Sequence, residues 1–198
     1  MVVRDSYKAN KDKFISKNFQ LYEFASIGDN GKLYSDEVLY DTDIIDIFEK
    51  LFVYKKIDIL KVNSGYRTNE HERTLSNSAI NGYHTKGMAV DFNCYKDGKV
   101  LTAKEIALAL EDLGWNHGIG LISKNAIHID SRPNKYYFNE MNGNRSIGNS
   151  FYTYYNVEKV IPYYNEVQKR FSLDKETMDY FMKYKYNSDL LMKLATSK

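Results

Sequence analysis

His84, Asp91 and His128 are the residues of this 198-residue chain whose types could do chemistry together. Two imidazole nitrogens and one carboxylate oxygen, with a fourth position left to water, make the donor set of a catalytic zinc. Calcium and magnesium prefer mostly oxygen ligands, so the mixed set favours a transition metal. The spacing alone leaves another reading open, two surface histidines and a surface aspartate with unrelated partners. The neighbouring residues tip the balance. SGYRT stands at 64–68, YHTKGMAVDF at 83–92 and NAIHIDSR at 125–132.

Taken in that order, SGYRT, H-x-x-G-x-A-V-D and H-I-D-x-R resemble the zinc peptidases of bacterial cell walls. These are the D-Ala-D-Ala carboxypeptidases and L-alanyl-D-glutamate endopeptidases, some phage endolysins included. The likeness reaches upstream through SKNFQLYEFAS at 16–26 and spans about residues 14–135. It implies one Zn2+ per chain on His84, Asp91 and His128, with a peptidoglycan stem peptide as substrate. It also implies that Arg67 binds substrate or steadies the oxyanion, work that suits a fixed cation.

The general base is where the pattern departs. Well-known branches of the family carry an acid three residues before the last histidine ligand, where this chain has Asn125. Others carry a histidine two before it, where this chain has Ala126. Asp130 remains, two residues after His128, either as the base or as the group that fixes His128 or Arg132. The hedgehog signalling domain resembles these peptidases and keeps a zinc site without needing peptidase activity. A non-catalytic zinc-containing binding domain is therefore the alternative.

The elements must bring these residues together. Asp41 and Asp43 are candidate caps for a helix over about 43–55, with Ile44, Ile45, Phe48, Leu51 and Phe52 on one face. A strand ending at 62 delivers Ser64 and Arg67, and a short helix and loop over 69–81 cover the cleft. Residues 88–92 read as a strand, and Gly87 lets the chain turn so that His84 meets Asp91. Thr102-x-x-Glu105 is a capping box for a helix stopped by Gly114. Residues 118–122 and 126–130 read as a hairpin, which places His128 and Asp130 on one face. The whole is α+β: a small antiparallel sheet with flanking helices, followed by a C-terminal helical segment.

Residues 1–145 are expected to form the zinc peptidase domain, with 1–13 as a loose polar arm. Residues 146–198 read as a helical appendage from about 157, either packed on the domain or a cell-wall-targeting module. His117 reads as a structural loop histidine, His71 in NEHER as a solvated helix residue, and Cys94 as a buried apolar thiol. Ser64 has no motif-matched histidine base, and packing explains Tyr66 and Tyr83.

A net charge of +2 with no clustered basic stripe argues against nucleic acid as the main partner. One cysteine excludes an internal disulfide framework. No apolar run has the length of a signal peptide or a membrane span. The expectation is cytoplasmic accumulation followed by release to the cell wall, as for an endolysin.

Overall fold

The computed structural model describes residues 1–75, 79–141, 146–148 and 167–174. The first of these correct an expectation. Val2–Ser6 is a strand, β1, and Tyr7–Asn10 a single helical turn, α1, where the polar composition suggested a loose arm. β1 pairs antiparallel with Glu37–Asp41, β2, setting Val3 opposite Tyr40. Val3 packs on the core and Arg4 Nε meets Glu37 Oε2 at 2.9 Å, so the segment has both apolar and ionic reasons to dock.

Asp41 ends β2 and caps α2, Thr42–Lys55, its carboxylate accepting from the Asp43 N–H at 3.1 Å. Ile44, Ile45, Phe48 and Leu51 are buried along the face the sequence marks out. The chain then runs through β3 (Ile59–Ser64), α3 (Asn69–Glu72), β4 (Ala89–Lys96) and β5 (Lys99–Val100). It continues with α4 (Ala103–Asp112), β6 (Gly118–Leu121), β7 (Ile127–Asp130), β8 (Tyr136–Asn139) and β9 (Ser146–Gly148). Both halves of the Thr102–Glu105 capping box are present at the start of α4.

The main sheet has the order β3-β4-β7-β6-β8-β9, with β5 added on β4. Its pairs are antiparallel except β6 with β8, which run parallel. Side-chain alternation divides it into two faces. Val90, Phe92, Cys94, Ile119, Leu121, Ile127 and Ile129 belong to the core cluster with α2 and α4, and the Phe48 and Phe92 rings lie 4.6 Å apart. Asp91, His128 and Asp130 point the other way, as do Gly118 and Gly120. The fold is α+β, as expected.

The appendage is described only in part. β9 belongs to the main sheet, although the sequence places its residues in the appendage. Val167, on a helical turn over 167–170, is 2% exposed within the core cluster. The remaining C-terminal helices expected from sequence lie outside the described residues. Among the described residues no helix is long and apolar enough to cross a membrane.

Candidate metal centre

The pairing of β4 with β7 sets Asp91 directly opposite His128. His84 begins a short 3-10 turn that ends at Gly87, whose φ is +69°. A Cβ on Gly87 would collide with Leu39, so this position needs glycine for both conformation and space. The turn carries His84 Nε2 to 3.3 Å from Asp91 Oδ1 and 3.3 Å from His128 Nδ1. His128 Nδ1 and Asp91 Oδ1 are 2.8 Å apart. The three residues offer one ligand atom each within 4.8 Å of one another and can hold a metal ion.

Each ligand is aimed by a further partner. The Gly65 carbonyl accepts from His84 Nδ1–H at 2.8 Å, which leaves Nε2 for an ion. His128 Nε2 faces Asp130 Oδ2 at 3.0 Å, which leaves Nδ1. Asp91 turns Oδ1 to the histidines, while Oδ2 accepts from Arg67 Nη2 at 2.6 Å. Histidine ligands are commonly fixed in this way through the nitrogen away from the metal.

Two glycines make the room. A Cβ at Gly118 would overlap the Asp130 carboxylate, and one at Gly120 would enter the Phe138 ring. That ring lies 5.2 Å from the His128 imidazole and walls the site on the β8 side.

Without a metal the charges are shared among these groups. Burial opposes a charge on His128, but the bonds to Asp130 and Asp91 outweigh it and raise its pKa to about 9. Burial likewise opposes the Asp91 carboxylate, yet His84 and His128 hold it well below the usual range. Asp130 is also lowered, burial being outweighed by His128 and Arg132. A metal cation would take the place of the proton on His128 Nδ1, so uptake releases protons.

The chain matches no family model, no curated protein and no solved structure. Its site stands on its own geometry.

Arg67 is braced on three sides: Nε donates to Ser64 Oγ at 2.5 Å, Nη1 to Glu72 Oε1 at 3.2 Å and Nη2 to Asp91. Its backbone N–H donates to the His84 carbonyl at 3.2 Å, so it ties two ligand-bearing segments together. Asp130 is 0% exposed. Asn125 lies in the turn between β6 and β7, its side chain donating to the Leu101 carbonyl at 3.1 Å. His117 Nδ1–H donates to the Arg132 carbonyl at 2.6 Å, a structural bond. Cys94 is buried as expected, and burial pushes its thiol up to about 12.

One reading is overturned. His71 is 8% exposed, not solvated. Its Nδ1 lies 3.0 Å from the Ser26 hydroxyl, and the Tyr34 ring stacks on it at 4.4 Å. Burial first, then the Arg67 charge, hold it below the usual histidine range, which favours the neutral ring. His71 also borders a cavity of about 330 Å³ beside β3, walled in addition by Tyr22, Glu23, Lys61, Asn63 and Ser64. Ser64 lines that cavity and accepts from Arg67 Nε, while none of the three candidate ligands lines it. Glu72 and Phe138 carry no motif signal.

Proposed function

We propose that this chain is a zinc-dependent peptidase that hydrolyses peptidoglycan stem peptides. The observation that carries the reading is the convergence of His84, Asp91 and His128, distant in sequence, on one cluster with each ligand atom aimed inward. The residues fit zinc, since imidazole and carboxylate donors suit it better than they suit calcium or magnesium. Zinc when bound supplies a water of pKa about 7 and polarises the scissile carbonyl.

The chain's own residues do the rest. Arg67 has five N–H donors, of which the bonds to Ser64, Glu72 and Asp91 use three. It can hold Asp91 and still donate to an oxyanion or a substrate carboxylate. Asp130, enclosed and bonded to both His128 and Arg132, is better placed to orient His128 than to exchange protons with water. Accumulation inside the cell with release to the wall, as for an endolysin, completes the proposal.

A second reading, a metal-holding binding domain without catalysis, draws on the same carboxylates. Asp130 is held by Arg132 and His128, and Glu72 by Arg67 and the Ala79 N–H. Neither is placed as an uncommitted general base. The deciding experiment is mass spectrometry of purified peptidoglycan incubated with the protein, with and without a zinc chelator. A chelator-sensitive product supports the peptidase: free D-Ala marks a carboxypeptidase, and a new D-Glu amino terminus an L-Ala-D-Glu endopeptidase. Intact stem peptides across several wall chemotypes, from protein that holds zinc, would leave the binding domain.

A further inference from the structure

Arg132 lies two residues beyond the end of β7 and touches none of the three ligand atoms, yet it is held on several sides. Its guanidinium takes both oxygens of Asp130, Nε to Oδ1 at 2.6 Å and Nη2 to Oδ2 at 2.6 Å. Its own N–H also donates to Asp130 Oδ1 at 3.2 Å. One face of the guanidinium is 4.7 Å from the Tyr83 ring centroid, and the Tyr136 ring centroid lies at 4.0 Å. His117 fixes the backbone by donating to the Arg132 carbonyl. Ordinary surface arginines are not caged in this way.

The cage has a direction. A bidentate fork sets the plane of a carboxylate as well as its position. The Asp130 plane in turn sets which way His128 turns, because Oδ2 is shared between Arg132 and His128 Nε2. Tyr83 immediately precedes His84, so one guanidinium spans the segment that carries one histidine ligand and the strand that carries the other. The geometry points to Arg132 as a positioning residue for the metal centre, acting through Asp130 to keep His128 Nδ1 facing His84 and Asp91. This rests on the metal-centre reading above.

The test is a Zn2+ competition titration against a chromogenic chelator for the parent protein, Arg132→Ala and Arg132→Lys. The visible spectrum of each after loading with Co2+ reports the ligand geometry. Arg132→Ala is expected to bind Zn2+ roughly 10–100-fold more weakly, with an altered Co2+ spectrum. Arg132→Lys is expected between it and the parent, since it keeps the charge but loses the fork. Leu51→Ala, a core change away from the site, controls for general destabilisation and is expected to keep the parental affinity.

Parental affinity and spectrum in Arg132→Ala would overturn the proposal, as would an equal loss in Leu51→Ala. If Arg132→Ala does not fold, Arg132→Lys and Tyr136→Leu decide in its place, and parental affinity in both overturns it. A parent protein that takes up no Zn2+ or Co2+ would overturn the metal centre itself. A parent that binds beside variants that bind equally well removes only the role of Arg132.

Discussion

The strands β4, β6 and β7 have two faces that solve different problems with the same backbone. On one, Phe92, Ile119, Leu121, Ile127 and Ile129 are sealed against α2 and α4. Burial there is non-directional and scales with apolar area, so hydrophobic side chains of similar volume are interchangeable to a first approximation. On the other, Asp91, His128 and Asp130 each depend on a named partner at a set distance. A buried polar group that loses its partner is penalised outright, so that face tolerates little exchange. A one-residue slip in register would swap the two faces. The core face therefore protects the site by holding the register.

The sharpest way to break this division is to remove a ligand. His84→Ala is expected to abolish stoichiometric metal uptake, by equilibrium dialysis, while the protein still unfolds cooperatively. Global unfolding of that variant would show that the faces are not separable. From the core side, Phe92→Ala should cost about 3–5 kcal/mol in denaturant titration. Its surviving folded fraction should bind metal as the parent does, and a parallel loss of affinity would contradict the division.

Acidity offers a finer probe of the polar face in metal-free protein. The His128 pKa is raised from 6.5 to about 9, so its contribution to stability is complete below about pH 6.5 and fades as pH rises through 9. Asp91 and Asp130 are lowered from 3.8, so their contribution is present above that value and fades in acid. Metal-free protein should be most stable between these limits, and His128→Gln should flatten the alkaline limb of its thermal-stability profile. An unchanged limb would place the titrating group elsewhere.

The smallest change acts on space alone. Gly120→Ala pushes the Phe138 ring away from His128 and should cost about 1–3 kcal/mol, read by thermal denaturation. Chemical labelling then checks the core face. Native Cys94 should resist a thiol-specific alkylating agent and react only on unfolding, as its burial requires.

Much of this is legible in the sequence. The apolar spacing of 44, 45, 48 and 51 marks α2, the Thr102–Glu105 pair marks α4, and alternation in AIHID puts His128 with Asp130. These signals are local, and local periodicity survives in a single sequence. What was missed depends on partners far along the chain. β1 is a strand because Glu37–Asp41 pairs with it, and no short polar segment announces that. His71 sits on a four-residue helix, too brief for a buried face to show as a period, and its burial comes from Ser26 and Tyr34. β8 is marked by no motif, although Tyr136 and Phe138 alternate with Tyr137, which reaches Glu111 on α4. The motifs supplied the ligands. The bonds that aim them, His84 to Gly65, His128 to Asp130 and Arg67 to Asp91, join residues the motifs contain, but their geometry follows from the fold.

The separation of the two histidines along the chain has a mechanical meaning. His84 and His128 are 44 residues apart. An ion shared by them would tie off a loop of that length, and a permanent tie of this size removes chain entropy from the unfolded ensemble worth about 4 kcal/mol. Such an ion would work as a clasp across β4 and β7. Stripping it would first shorten the time the molecule survives heat or protease, while the outline of the folded state stayed the same.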